Sequence, residues 1–419
     1  MPSVPEALLL ILERARPLSP VTVVLRDAHR RILAEEIVSD VDSPPHDKSM
    51  VDGYAVQLAD FTGSPAESTM LKIIEEIMAG DVPHHKLTLG TTSRIMTGAP
   101  IPDGADAVVM VEKTETFGDQ VRILEPPNRS GQNILRRATS IRRGDVVLKS
   151  SAEVRPCEIG LLAEVGRSQV LVVPRVKVAV LSTGNELVPC DQVPGPGQIR
   201  NSNGPLLLAA VERTNATPVE LGIARDEKED LQRLISLGLQ SADILVLSGG
   251  VSAGDLDLAP DVLKQLNVVE VFHKVKLKPG KPIWFGTRLC EPPSNREQLV
   301  FGLPGNPVSS LVCFELFVRP AIEQMSGKVS SQTPSFGATT VSAQLTAPFQ
   351  HRGDRPTFHP AQLELHHEPF GQGANLVTPL RWHGSADLRT LTSANALVCF
   401  PSGDRDYCIG EIVEVRPLR

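Results

Sequence analysis

The chain is poor in aromatic residues: Phe, Trp and Tyr make up 4% of its 419 residues. Its cores must therefore be built from Leu, Val, Ile and Ala. Long apolar runs are missing too, and nothing approaches the ~20 residues a membrane-spanning helix needs. The N-terminal run Ala7–Leu12 is short, bracketed by Glu6 and Glu13, and preceded by no basic segment. That pattern predicts an amphipathic helix in a soluble, cytoplasmic protein rather than a signal sequence. The six cysteines (Cys157, Cys190, Cys290, Cys313, Cys399 and Cys408) contain no C-x-x-C pair. Neither a disulfide framework nor a zinc site is expected from such spacing, and reduced thiols are. Positive charge is in deficit: the net charge of -7 argues against a nucleic-acid partner. It leaves room for an anionic small molecule, because local lysines can differ from the global balance.

What is present is globular. A hydrophobic content of 41% and a charged content of 22% support packed interiors, and the length predicts about two to four domains. Ser3 and Glu6 have the spacing of a capping box, so a helix is expected from there to about Arg16, before Pro17 and Pro20. Val21–Leu25 reads as a strand, Arg30–Val38 as a helix or helix–strand corner, and Arg155–Val165 as a short helix between Pro156 and Gly166. From Asp40 to about Lys149, short β-type runs alternate with Gly, Pro and Asp turns, predicting a mainly β domain. From Val176 to about Gly327 strands alternate with helices, including Pro205–Thr214, Glu229–Leu239 and one long helix Val308–Met325. This rhythm predicts an α/β domain on a parallel sheet covered on both faces. Beyond Gly327, β-type segments rich in Pro and Gly predict a small C-terminal β domain.

Ligands of open α/β sheets bind beyond the carboxyl ends of the strands. Four loops qualify: Ser182-Thr183-Gly184-Asn185-Glu186, Arg225-Asp226-Glu227, the run from Ser248-Gly249-Gly250-Val251-Ser252 to Asp257, and Leu303-Pro304-Gly305-Asn306-Pro307. Glycines let backbone N–H groups approach an anion, and the helix after Pro307 would aim its positive end there. A phosphate or oxyanion ligand is the natural expectation. Glu186, Asp226 and Asp257 crowd the same edge, and like charges so placed call for a divalent cation between them. Lys274, Lys278 and Lys281, around the rigid turn Lys278-Pro279-Gly280-Lys281-Pro282, supply compact positive charges for phosphate or oxyanion. In the earlier β domain, the segments Asp47–Tyr54 and Arg94–Pro102 are either turns or parts of a site, and their chemistry alone leaves both readings open.

Taken in order, these pieces resemble the molybdopterin molybdenumtransferases, a family that includes the C-terminal part of gephyrin. The matching segments are Ser49–Ala55, Ile95–Pro100, Ser130–Ile134, Ser182–Leu187, Ser248–Ser252, Lys278–Pro282 and Gly302–Ser309. The resemblance implies an elongated homodimer with four domains per subunit: residues 1–40 with 150–174, then 41–149, 175–327 and 328–419. It implies insertion of molybdate into adenylylated molybdopterin with release of AMP, using Mg2+ or another divalent cation. A molybdopterin adenylyltransferase would be the upstream donor, and a cleft shared with the partner subunit's β domain would take the molybdate. Carried over by motif, the catalytic residues would be Asp52, Thr97, Glu186, Asp226 and Asp257, with Glu186, Asp226 and Asp257 holding the metal. Substrate binding would fall to Ser182, Thr183, Gly184, Gly249, Gly250 and Ser252. It would also involve Lys274, Lys278, Lys281, Pro304, Gly305, Asn306, Pro307, Arg136 and Arg137.

The chain departs from the family pattern twice. Ser140, after Arg136-Arg137-Ala138-Thr139, stands where relatives usually carry an acid. Arg200-Asn201-Ser202-Asn203 replaces a run that often begins with an aromatic residue and Asp. Two other readings follow. A sister adenylyltransferase would have Gly-Gly-Thr-Gly in place of Gly249-Gly250-Val251-Ser252 and would lack the flanking β domains. A catalytically impaired pterin-binding or scaffold paralogue would keep the fold but not the turnover.

Overall fold

The computed structural model describes the chain except for residues 63–68, 251–257, 291–295, 329–339, 366–373 and 419. It divides into two compact units, one of residues 1–22, 30–32 and 171–419, the other of residues 23–29 and 33–170. Among the described residues no helix is long and apolar enough to cross a membrane, and all six cysteines are free thiols.

The unit of residues 23–29 and 33–170 is mainly β, as the turn-rich sequence predicts. Its sheet has the order Ala107–Met110, Gly53–Val56, Thr91–Ile95, Met70–Ile77, Gln120–Ile123, Thr114–Phe117. Side chains alternate between faces with the two-residue period of a strand. Tyr54, Val56 and Val109 enter one apolar cluster, and Ala55 and Val108 enter another. No side chain fits at Gly53, where a Cβ would stand 1.9 Å from the Val109 carbonyl oxygen. The helix Pro156–Glu164 forms where Pro156 predicts it, and Glu158 accepts the Arg155 backbone N–H at its start.

The helix or corner expected over 30–38 is not helical. Arg30 takes a left-handed φ of 62°, and Leu33 exchanges backbone hydrogen bonds with the 151–152 segment at 2.8 and 2.9 Å. Ile37–Val38 then pairs antiparallel with Val146–Leu148. Backbone groups that a helix would satisfy internally are thus spent on a distant segment, which a local pattern does not reveal.

In the other unit, the helix Val4–Leu12 opens with the predicted capping box: Ser3 N and Oγ both donate to the Glu6 carboxylate at 2.8 Å. It buries Val4, Ala7, Leu8 and Ile11, and it stops at Leu12, short of Arg16. The central sheet has six strands: β1 (Lys177–Thr183), β2 (Thr217–Ala224), β3 (Ile244–Ser248), β4 (Val269–His273), β5 (Trp284–Leu289) and β6 (Glu297–Leu303), in the order β2-β1-β3-β6-β5-β4. β2, β1, β3 and β6 run parallel. The expectation of a parallel sheet needs one correction, because β5 runs antiparallel to both its neighbours, β6 and the edge strand β4. Two apolar clusters cover the two faces, with Val178 and Val180 in one and Ala179 and Leu181 in the other.

The long helix after β6 is interrupted. Pro307–Cys313 is α-helical, Phe314–Val318 forms a π-helical stretch, and Arg319–Met325 resumes the α-helix. The π stretch carries Glu315, which is fully buried and ion-paired with Arg213 and, at 3.0 Å, with Arg319. Arg416, on the last strand of the chain, donates to the Glu315 carbonyl oxygen at 2.5 Å. The C-terminal strands close into a barrel in the order Val341–Leu345, Leu376–Pro379, Thr357–Glu364, Ala396–Phe400, Ile412–Pro417.

Candidate functional site

The carboxyl ends of the parallel strands open into one cleft of about 710 Å³, and all four loops singled out above contribute to its lining. Thr183, Gly184 and Glu186 follow β1, Asp226 follows β2, Ser248, Gly249 and Gly250 close β3, and Pro304–Pro307 follow β6. Ser182 sits just beneath, buried, with its hydroxyl donating to Asn201 Oδ1 at 3.0 Å. Ser252 and Asp257 lie outside the described residues.

Local sequence explains the shape of these loops. Gly249 and Gly250 have φ of +91° and +63°, where an L side chain is strained. A Cβ on Gly249 would stand 2.6 Å from the Thr183 carbonyl oxygen, and one on Gly250 2.5 Å from Thr183 Oγ1. The β3 loop therefore lies directly on the end of β1. A Cβ on Gly184 would come within 2.5 Å of Glu186 Oε2, so the carboxylate folds back over that glycine. Asn185 and Asp226 are locked reciprocally, the Asn185 N–H donating to Asp226 Oδ2 at 3.2 Å and the Asp226 N–H to Asn185 Oδ1 at 3.1 Å. Two of the three expected acids, Glu186 and Asp226, thus line the same cleft. Among the described residues no group of three or more His, Cys, Asp or Glu side chains is arranged to hold a metal.

The helix after Pro307 offers less to an anion than its sequence suggests. The Val308 N–H donates to the Ser385 carbonyl oxygen at 3.0 Å, and Asn306 Nδ2 donates to Ser385 Oγ at 2.9 Å. The C-terminal barrel also brings Ala386 and Leu388 to the cleft wall.

Lys274, Lys278 and Lys281 form no ion pair with a described carboxylate, and they do not line this cleft, although Pro282 does. Their turn is clamped by main chain. The Lys274 N–H donates to the Ile283 carbonyl oxygen, the Lys278 N–H to that of Pro356, and the Phe358 N–H to that of Lys278, at 2.8–2.9 Å. Gly280 is held against Cys313, where a Cβ would meet Sγ at 2.6 Å.

In the β unit, Asp52 Oδ1 accepts both the backbone N–H and the hydroxyl of Thr97, each at 2.7 Å. The N–H first, then the hydroxyl, holds the Asp52 carboxyl below its ordinary range. The two residues that the family resemblance pairs are therefore in direct contact. Arg136 and Arg137 are already engaged: Arg136 pairs with Asp47 at 2.5 Å, and Arg137 donates to Asp42 at 2.6 Å. Ser140 is exposed, and its N–H donates to the Ser43 carbonyl oxygen at 2.9 Å.

Four polar residues of the site were absent from the expected set. Asn185 latches two loops. Asn201 ties Ser182 to the Gly204 N–H, and Asn203 Nδ2 bridges Ser248 Oγ at 2.8 Å and the Gly305 carbonyl oxygen at 2.7 Å. Arg200 lines the cleft beside them. The departure at Arg200-Asn201-Ser202-Asn203 was the available signal for the last three.

Comparison with known proteins covers most of the chain. Residues 2–166 match the model of the MoeA N-terminal region (domain I and II), 179–324 the probable molybdopterin binding domain, and 342–418 the MoeA C-terminal region (domain IV). The chain is 33% identical over 418 residues to the molybdopterin molybdenumtransferase of Staphylococcus aureus (strain Mu50 / ATCC 700699), covering 98% of this chain and 94% of that one. It is 34% identical over 401 residues to the protein of that name from Bacillus subtilis (strain 168), covering 95% and 89%. Its fold is similar to the crystal structure of a molybdopterin biosynthesis MoeA protein from Pyrococcus horikosii, with a TM-score of 0.80, 31% identity and coverage of 100% and 99%.

Proposed function

Since the chain belongs to the molybdopterin molybdenumtransferase family, enzymes of molybdenum cofactor biosynthesis, we propose that it inserts molybdate into adenylylated molybdopterin with release of AMP. The observation that carries this reading is the cleft itself: two acids, a pair of glycine-lined loop ends and a Pro-Gly-Asn-Pro loop converge at the carboxyl edge of a parallel sheet.

The residues have distinct tasks in this reading. Glu186 and Asp226, with Asp257, would hold a divalent cation, and the donor chemistry fits, since hard cations take carboxylate oxygens. Bound there, the cation supplies charge stabilisation at the phosphoanhydride whose P–O bond breaks as AMP leaves. The Asn185–Asp226 latch keeps one carboxylate oxygen fixed while the other stays available. Ser182, Thr183, Gly184, Gly249 and Gly250 form the polar floor under the substrate, with Pro304–Pro307 as its far wall, and Ser252 is assigned to substrate binding by its motif alone. Lys274, Lys278 and Lys281, free of ion pairs with the described acids, are suited to oxyanion capture. Asp52 and Thr97 act as a preset hydrogen-bonded pair. Arg136 and Arg137 are released to substrate only by breaking their ion pairs with Asp47 and Asp42. The reading includes the four-domain division given above, a homodimer, and a molybdopterin adenylyltransferase as donor. Light scattering of the purified chain checks the homodimer.

The decisive test is AMP release by the purified protein supplied with adenylylated molybdopterin, molybdate and Mg2+. Turnover that needs all three supports the reading. Tight binding of the pterin without AMP release would instead identify a catalytically impaired paralogue.

A further inference from the structure

We propose that Arg200 is the anion-binding residue of the cleft and takes the phosphate of the substrate's nucleotide half. This deepens the function proposed above and rests on it. Among the described residues lining the cleft, Arg200 is the one basic side chain, against the two acids Glu186 and Asp226. Besides any cation held by the carboxylates, a phosphate entering this space meets one basic side chain among the described lining residues. The three lysines do not fill that role, since they do not line the cleft.

The geometry of Arg200 suits the task. Its Nε donates to the Gln192 carbonyl oxygen at 2.9 Å, which fixes the plane of the guanidinium. The two terminal nitrogens take no partner among the described residues, and they are the pair that grips two phosphate oxygens at once. Anchoring through Nε lowers the conformational cost of that grip, because the arm is already held.

A second observation points independently to a ligand. Thr183 Oγ1 and Asn203 Oδ1 are buried, line the same cleft and have no hydrogen-bond partner among the described residues. Thr183 is 3% exposed and Asn203 8%. Both hydrogens of the Asn203 amide are used, on Ser248 and Gly305, so its oxygen faces the ligand as a pure acceptor. Buried polar atoms ordinarily find partners. A ligand carrying N–H or hydroxyl donors at the floor and a phosphate at Arg200 satisfies all three groups, and a nucleoside monophosphate moiety has that pattern.

The test is calorimetric titration of the full chain with AMP and with adenosine, for wild type, Arg200→Ala and Arg200→Lys. Melting curves check that each variant is folded. Arg200→Ala should weaken AMP at least about tenfold, in line with the loss of a charge-assisted bidentate contact, and leave adenosine within about twofold. Arg200→Lys should recover part of the loss, as a point charge replaces a fork. Unchanged AMP affinity in Arg200→Ala overturns the inference and leaves the proposed function standing. Equal weakening of adenosine also overturns it, because the residue would then shape the base pocket. If wild type binds neither compound, the inference and the nucleotide part of the proposed function fall together.

Discussion

Adding a single methyl group at Gly250 should deform the floor of the cleft, and the structure indicates by how much. An alanine there must hold a φ of +63°, a left-handed conformation that costs an L-residue about 1–2 kcal/mol. Its Cβ would also stand 2.5 Å from Thr183 Oγ1, and relieving such overpacking costs about 1–3 kcal/mol. Gly250→Ala should therefore destabilise the ends of β1 and β3 by about 2–5 kcal/mol, the sum of those two ranges. Thr183→Ala removes the opposing oxygen, which has no hydrogen-bond partner among the described residues to lose. In that background Gly250→Ala should cost only the backbone term of about 1–2 kcal/mol. The cycle thus predicts a favourable coupling of about 1–3 kcal/mol. Native-state hydrogen exchange over residues 177–183 and 244–248 reads it locally, so the chain need not unfold in two states. Costs that add to within about 0.5 kcal/mol would refute the contact and, with it, the account of why Gly250 is a glycine.

Three further outcomes are expected. Glu186→Gln should cut turnover at least about a hundredfold with an unchanged melting curve, since an exposed acid at the cleft serves the transition state rather than the fold; loss of activity together with unfolding would make it structural. Lys278→Ala should weaken adenylylated molybdopterin in an equilibrium titration while leaving stability nearly unchanged, because no ion pair with a described acid is lost; unaltered affinity removes this lysine from the site. Thr97→Val deletes the hydroxyl donor but keeps the N–H, so the Asp52 carboxyl should titrate closer to the ordinary carboxylate range in a 13C NMR titration. A depressed folded pKa contributes stability above the ordinary range and loses it as the pH falls through the depressed value. The variant should accordingly have less of this stabilisation to lose on acidification, and an unmoved Asp52 titration would show that the hydroxyl is idle.

Much of the site was legible because each parallel strand ends in a polar loop, so Ser182–Glu186, Asp226, Ser248–Gly250 and Leu303–Pro307 could be placed on one sheet edge without coordinates. Strand direction was less accessible. The apolar runs Val268–Phe272 and Ile283–Phe285 read the same whichever way they run, and the structure makes them the antiparallel pair β4 and β5. The π-helical stretch at Phe314–Val318 leaves the apolar spacing of a long helix nearly intact, so it was invisible. Arg136 and Arg137 looked free because Asp47 and Asp42 lie about ninety residues earlier, as the separations of 89 and 95 show. Ala386 and Leu388 carry no chemical signal at all, and only the fold brings them to the cleft.

Glu315 has a mechanical consequence at a distance. Through Arg213 it grips the far end of the helix Asn203–Arg213, whose first residue bears the cleft-facing amide. Through its own backbone it sits midway along the second helical wall, which starts at Pro307, and through Arg416 it is tied to the barrel. Both walls are therefore tied to one buried pivot. The helix of 11 residues is a lever of about 16 Å at 1.5 Å per residue, so a tilt of about 10° swings its working end by nearly 3 Å, the length of a hydrogen bond. Glu315→Gln, compared with wild type for AMP affinity, measures that leverage, and equal affinities would show that the pivot is rigid without its charge. A carboxylate that never faces the ligand can in this way set how wide the cleft stands.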